Sequence, residues 1–140
     1  MQVKALLRTE QKRQELEAMV IKVVLGDALN VNDIEQAILT EEPIDAVIST
    51  IGGVPQDSER ADYLGNKNLI DAAVRAGVKK FILISSIGTG NSADAIPPQA
   101  LETLKPVLIE KYKAEQYLIY SGLNYTVIRP GGLKSEPATG

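Results

Sequence analysis

The sequence of 140 residues contains neither histidine nor cysteine, and these two absences exclude several kinds of chemistry. A Ser-His-Asp triad, a thiol nucleophile and the usual zinc sites all need one of these residues, so we predict no metal site. Any proton transfer must use lysine, tyrosine, serine or a carboxylate. Without cysteine there is no disulfide framework, which is typical of a cytoplasmic protein. We therefore expect a cytoplasmic location.

Tryptophan is also absent, phenylalanine occurs once, and the net charge of −3 comes from interspersed acids and bases. Nucleic-acid binding usually needs a basic surface and aromatic side chains on which bases stack, so we expect no nucleic-acid partner. The longest apolar runs, such as FILI, are far too short to cross a bilayer, and no signal-peptide pattern opens the chain. We expect no membrane partner either.

Strand-like and helix-like stretches alternate along the chain. The predicted strands are QVKALL, IKVVLG, DAVIST, KFILISS and NYTVI. They are short, β-branched and almost continuously apolar, which is typical of strands buried on both faces. Their alternation with helices predicts an α/β fold with a parallel sheet, in a single domain over residues 1–140. Glycine should end two helices, at Gly77 and Gly122, and Pro106 should break or kink the last helix.

Polar or glycine residues follow every predicted strand. The segments are RTEQK, GDALN, STIGG, SSIGTG and RPGG, in chain order. In an open parallel sheet, ligands bind beyond the carboxyl ends of the strands, so this edge is the candidate site. Each segment also has an ordinary explanation, since Arg8 can be a solvated charge and Asp27 a turn residue. Their occurrence at all five strand ends favours a ligand site.

Arg8 bears on which dinucleotide such a site would prefer. A positive charge just past the second strand of a Rossmann unit can pair with the 2′-phosphate of NADP. An NAD-preferring site usually has an acidic residue there instead, to hold the ribose hydroxyls. Asp27 offers a carboxylate that can accept a hydrogen bond from an exocyclic amine, such as that of adenine.

Longer stretches resemble a known family. VKALLR, VVLGD, DAVISTIGG, GNKNLIDAAVRAGVKKFILISSIG and KAEQYLIYSGLNYTVIRPGGL are similar, in this order, to the atypical short-chain dehydrogenase/reductases with NmrA-like, NAD(P)H-binding Rossmann domains. The resemblance covers nearly the whole chain, and YTVIRPGGL is its most specific part. It implies a Rossmann-like, doubly wound parallel sheet. It also implies an NAD(P)-dependent oxidoreductase that prefers NADP and acts on an unknown small molecule.

The resemblance assigns roles to individual residues. Arg8 would hold the NADP 2′-phosphate, with Lys12 as a second contact, and Asp27 with the Ala28 backbone would lie at the adenine. Lys111 matches the family's lysine that binds the nicotinamide ribose. The residues implied to line the ribose, pyrophosphate and nicotinamide are Thr50, Ile51, Gly52, Ser85, Ser86, Pro130, Gly131 and Gly132.

The family's YxxxK pair is incomplete in this sequence. In the family, the tyrosine transfers a proton, while the lysine lowers its pKa and holds the ribose. Tyr112 is followed four residues on by Gln116, and the alignment that places the lysine at Lys111 puts Val107 at the tyrosine position. The catalytic candidates are therefore Ser86 and Lys111. A non-catalytic, dinucleotide-binding redox sensor or regulatory module is the alternative to an enzyme.

The family's GxxGxxG loop is missing as well. That loop follows the family's first strand, and the first strand of this chain matches the family's second. We therefore expect a fragment whose fold lacks its first strand and helix. In the strand order 3-2-1-4-5-6 the missing strand is central, so two strands would face each other across a gap with unpaired backbone. Such exposed edges favour self-association.

Overall fold

The computed structural model describes residues 1–40, 42–53 and 60–138, and strands alternate with helices along this part of the chain. The strands are β1 (Lys4–Leu7), β2 (Lys22–Leu25), β3 (Ala46–Ser49), β4 (Lys80–Ile84) and β5 (Tyr125–Ile128). The helices are α1 (Arg13–Ala18), α2 (Val31–Ile38), α3 (Ala61–Ala76) and α4 (Pro98–Ile119). Single 3₁₀ segments precede α1 and α4, at Glu10–Lys12 and Gly90–Ala95.

The strands form two separate parallel sheets. One contains β1 and β2, and the other has the order β3-β4-β5. Among the described residues, β1 and β3 are therefore edge strands, as expected for a Rossmann-like order in which a central strand lies between them. The α/β class and the small parallel sheets agree with the predicted incomplete Rossmann-like fold.

The core lies on one face of the larger sheet, beneath the helices. Phe81 and Leu83 of β4 are completely or almost completely buried there. Ile34 of α2, Ile70 of α3 and Leu118 of α4 are fully buried against them. Burial of an apolar side chain of this size contributes about 1.5–3 kcal/mol, so this packing fixes the strands relative to the helices.

The opposite face of the larger sheet is open within the described residues. Ile48 is 66% exposed and Ile128 is 45% exposed, while the strand register places Ile82 and Ile84 on the same face. The prediction of strands buried on both faces is thus wrong for this sheet. The described helices that carry core residues cover only the Phe81 face, so the apolar side chains of the other face meet solvent.

Glycines follow α3 and α4, as the sequence pattern predicted, and α4 continues through Pro106. Gly77 caps α3 in the left-handed conformation at φ 68°, and Gly122 has φ 84° just after α4. The stretch ERADYLGNKNLIDAAVRAG predicts a helix that begins at Glu59, and this residue lies outside the described part of the chain. The predicted break at Pro106 does not occur, because that residue lies within the continuous α4, while the kink that was the other expectation stays a prediction. Pro106 is exposed, so water can satisfy the carbonyl left without its amide partner. No helix of the described chain is long and apolar enough to cross a membrane.

Candidate functional site

The first half of α3 brings together the loops that follow β2 and β3. Gly65 lies so close to both that an added Cβ would be 3.1 Å from Ala28 Cβ and 3.1 Å from Ile51 Cγ2. Asn68 donates a hydrogen bond from Nδ2 to the Ala28 carbonyl oxygen at 2.9 Å. The segments predicted for the adenine and the ribose therefore meet at one place, against one helix.

Asn66 fixes the end of β3 from below. The Ser49 hydroxyl donates to Asn66 Oδ1 at 2.5 Å, and Asn66 Nδ2 donates to the Ile51 and Asp62 carbonyl oxygens at 3.4 and 2.7 Å. Ser49 and Asn66 are buried, and buried polar groups need such partners. Thr50 and Gly52 remain exposed at the strand end, where a ligand can reach them.

A charged cluster lies on the far side of the same loop. Asp62, which is 1% exposed, accepts hydrogen bonds at Oδ2 from the Gly53 amide and from Arg60 Nε, both at 2.9 Å. Its Oδ1 atom lies 3.3 Å from Lys111 Nζ. A Cβ added to Gly52 would be 3.8 Å from that ammonium. The fold thus places Lys111 beside Gly52.

A second cluster joins the ends of β4 and β5 to α4. Glu115, also 1% exposed, accepts from Arg129 Nε at 3.0 Å and Arg129 Nη2 at 2.8 Å, and from the Thr89 hydroxyl at 2.9 Å. Burial raises the pKa of Glu115, but hydrogen bonds from Arg129 and Thr89 and the nearby Ser85 hydroxyl outweigh it and hold that pKa below its ordinary value. Glu115 is therefore an anion that binds three segments together.

The two candidate serines lie directly beside this cluster. Ser85 is buried and lowers the pKa of Glu115, although its hydroxyl makes no hydrogen bond of good geometry to any described residue. Ser86 is half-buried and donates from its hydroxyl to the Ile87 carbonyl oxygen at 2.9 Å. The Ile87 amide donates to the Pro130 carbonyl oxygen at 3.0 Å. The serines and the RPGG segment are therefore neighbours.

The residues predicted for the adenosine half have local contacts. Arg8 is exposed directly after β1, and Lys12 pairs with Glu15 on the outer surface at 3.1 Å. Asp27 forms a turn, because its Oδ1 atom accepts from the Leu29 amide at 2.9 Å. One carboxylate oxygen of Asp27 therefore serves the turn, which is the alternative to adenine binding for this residue. Lys12 is engaged by its own helix rather than by the strand edge.

Sequence reasoning missed four residues that hold the site together. Asp62 and Asn66 are four residues apart on the buried side of α3, and Glu115 lies between the buried residues Ala114 and Leu118 of α4. Polar residues at buried helical positions were the signal that could have found them. Arg129 was quoted only as part of RPGG, although its guanidinium supplies most of the contacts to Glu115.

The described residues fit a dinucleotide at this edge. Gly52 leaves space beside the Lys111 ammonium, and nothing lies within 4 Å of a Cβ added to Gly131 or Gly132, so a flat ligand can approach both segments. Parallel strands, loops gathered at their carboxyl ends and cationic side chains next to glycines define a Rossmann-like nucleotide-binding protein.

Comparison with known proteins gives the family. A family model described as NAD(P)H-binding matches residues 1–140, and the chain belongs to that family. It is 34% identical over 142 residues to the "uncharacterized sugar epimerase YhfK" of Bacillus subtilis (strain 168), covering 99% of this chain and 63% of that protein. The structure of ChuY, an anaerobillin reductase from Escherichia coli O157:H7, matches with TM-score 0.85 and 33% identity, over 99% of this chain and 64% of that one.

A third match carries a cofactor in its description. The Escherichia coli NADPH-dependent quinone oxidoreductase QOR2, complexed with NADPH, matches with TM-score 0.62 and 27% identity, over 90% of this chain and 38% of that one. The chain therefore spans less than two thirds of each of these relatives. What the comparisons establish is an oxidoreductase-like NAD(P)H-binding domain.

Proposed function

We propose that this chain is the cofactor-binding part of an atypical short-chain dehydrogenase/reductase that prefers NADP over NAD. The observation that carries the proposal is the Lys111 ammonium, held next to Gly52 at the carboxyl edge of the sheet. Two structural relatives support a redox reaction, since one is described as an anaerobillin reductase and another as an NADPH-dependent quinone oxidoreductase.

Each side chain has a defined task in this proposal. Lys111 donates hydrogen bonds to the hydroxyls of the nicotinamide ribose, and Thr50 with Gly52 lines the same sugar. Gly131 leaves room for the flat nicotinamide ring next to the serines. NADPH, when bound, supplies the hydride. The protein's own residues hold the ring and the ribose in place and exclude water from one side.

The choice of NADP rests on Arg8, which lies exposed directly after β1. Charge-assisted hydrogen bonds to a phosphate contribute about 1.5–3 kcal/mol, equal to roughly a tenfold to hundredfold change in affinity. Arg8→Ala should therefore weaken NADPH binding at least about tenfold and leave NADH binding unchanged. Titration of both cofactors by nucleotide fluorescence measures this. Equal losses for the two cofactors, or none, would refute the NADP assignment.

Arg13→Ala is the matched control for Arg8→Ala. Arg13 is a nearby surface arginine that pairs with Glu10 and Glu17 on its own helical segment, at 3.0 Å in both cases. Removing it changes the net charge by the same amount but should leave the ratio of NADPH to NADH affinity unaltered. The titrations belong on this chain and on any longer protein that contains it. The longer protein should bind more tightly if it adds a pyrophosphate-binding loop.

A second candidate function is a dinucleotide-binding redox sensor or regulatory module that does not turn over. It is favoured by Val107, a half-buried apolar residue where the family has its proton-transferring tyrosine. Hydride transfer from NADPH to a quinone or a carbonyl compound separates the two candidates. Turnover that is lost in Lys111→Met and Ser86→Ala supports the enzyme. Binding without turnover, for a panel of such acceptors, supports the sensor.

We propose in addition that the substrate is a small molecule and that the location is cytoplasmic. We also propose that the edges of β1 and β3 pair with a second copy in the absence of another strand. Sedimentation of the chain across a range of concentrations tests the self-association. A monomer at all concentrations would contradict it.

A further inference from the structure

Asp62 is a buried carboxylate to which neither the sequence analysis nor the proposed function gives a role. It lies in the first turn of α3, where the helix dipole favours an acid. It accepts hydrogen bonds from Arg60 and the Gly53 amide, and it forms an ion pair with Lys111. A buried carboxylate needs partners of this kind. Two of the three, however, belong to the candidate cofactor site itself.

Lys111 would not stay at Gly52 without a countercharge. A lysine ammonium is strongly hydrated and sits on a flexible stem, so an unpaired one extends into water. The Lys111 side chain is nevertheless only 22% exposed, with Nζ 3.3 Å from Asp62 Oδ1. Asp62 is the carboxylate that holds the ammonium back against the loop.

The contact is an ion pair rather than an aligned hydrogen bond. Asp62 Oδ1 has no aligned donor among the described residues, although Lys111 Nζ is close to it. The ammonium's protons are therefore available to other acceptors on the Gly52 side. A lysine ammonium has three donor protons and no acceptor, so it can bind sugar hydroxyls through their oxygens.

We propose that Asp62 is a positioning residue that fixes both the Lys111 ammonium and the Gly53 amide, so that the loop after β3 can receive a ribose. The ribose rests on the proposed function. The positioning itself does not, because it concerns contacts within the chain. Asp62 acts through Lys111 and Gly53 and does not touch the ligand.

Asp62→Asn tests the positioning without any cofactor. The matched control is Asp71→Asn, which removes the same charge from the same helix. Asp71 also pairs with a lysine, since its carboxylate lies 3.2 Å from Lys67 Nζ. Amide hydrogen exchange by NMR should show Gly53 exchanging about tenfold faster or more in Asp62→Asn, as expected for the loss of a hydrogen bond to a charged group. Asp71→Asn should leave it unchanged. Equal exchange at Gly53 in wild type and Asp62→Asn would overturn the proposal.

The Lys111 ammonium gives a direct second readout. In a proton–nitrogen spectrum of lysine ammonium groups at low temperature, only ammoniums held in place give sharp signals. Wild type should show the Lys111 signal, assigned by its loss in Lys111→Met, and Asp62→Asn should lose it. If Asp62→Asn does not fold, the wild-type spectrum still decides, because absence of a Lys111 signal refutes the positioning.

Cofactor titration then tests what the positioning is for. Asp62→Asn should weaken NADPH and NADH binding by the same factor, since both carry the nicotinamide ribose. In the Lys111→Met background, Asp62→Asn should cause no further loss, whereas an independent structural role would make the two losses multiply. A wild-type chain that binds neither cofactor would refute the proposed function. The Gly53 and Lys111 measurements would still judge Asp62.

Discussion

Replacing Arg129 by methionine should destabilise this protein more than any surface charge change. The substitution keeps an unbranched side chain of similar length and removes the guanidinium. Glu115 would keep the Thr89 hydroxyl but lose both hydrogen bonds from Arg129, at 3.0 and 2.8 Å. Asn91 would also lose a bond at 2.6 Å, but it is exposed and can bond to water.

The magnitude follows from the burial of the two partners. The Glu115 side chain is 2% exposed and that of Arg129 is 26% exposed, so the carboxylate cannot regain its lost partners from water. Removing one member of a buried ion pair costs about 3–5 kcal/mol, because the other charge stays buried and uncompensated. A domain is stable by only about 5–15 kcal/mol, so this loss is large.

Urea denaturation of wild type and Arg129→Met at several pH values measures the loss. Arg129 is among the groups that hold the pKa of Glu115 below its ordinary value of 4.5, and without the arginine only burial and two weaker partners remain. The pKa should then rise, so protonation at low pH relieves the buried charge. The difference between the two proteins should be largest near neutral pH and shrink as pH falls through the raised pKa of Glu115 in the variant toward its lowered pKa in wild type.

Arg13→Met is the control, because Arg13 bonds to Glu10 and Glu17 on the surface and water can replace it. Its loss should be far smaller than that of Arg129→Met. A difference below about 1 kcal/mol for Arg129→Met, or one that stays constant with pH, would refute the assignment of Glu115 as a buried anion.

Four further substitutions separate stability from binding. Glu115→Gln should show a shallower loss of unfolding free energy below pH 4.5 than wild type, because a carboxyl with depressed pKa stabilises the folded state only while it is ionised. Gly65→Ala should cost about 1–3 kcal/mol in urea denaturation, since the new methyl group meets three neighbours at 3.1–3.2 Å. Gly131→Ala should leave stability unchanged, with nothing within 4 Å of its Cβ, and weaken NADPH binding in a titration. Ile48→Asp should change the unfolding free energy by less than about 1 kcal/mol, since that side chain is 66% exposed.

Local sequence patterns predicted the order of strands and helices because each element carries its own signal. β-Branched runs gave the five strands, and a glycine followed α3 where a left-handed residue was needed. The separation of β1 from β3 was predictable from the resemblance, since the family's strand order leaves a central position empty. Only the break at Pro106 is contradicted, because that residue is exposed on a long helix and α4 continues through it despite the missing backbone hydrogen bond.

Local sequence patterns could not predict which side chains pair across the fold. Glu115 and Arg129 are 14 residues apart in sequence, and Lys111 meets Asp62 from another helix. The local sequence pattern does not predict which cation pairs with a buried acid, because the pairing depends on how α3 and α4 pack. Burial of a charged residue is predictable from helical periodicity, whereas its partner requires the tertiary structure.

The two charged clusters are linked by their spacing on α4. Lys111 and Glu115 are one helical turn apart and therefore lie on the same face, with Val107 one turn earlier on that face. Lys111 meets Asp62 at the end of β3, and Glu115 meets Arg129 at the end of β5. One side of α4 thus binds both halves of the candidate site. The same side has an aliphatic residue, Val107, at the position that the resemblance gives to the family's proton donor.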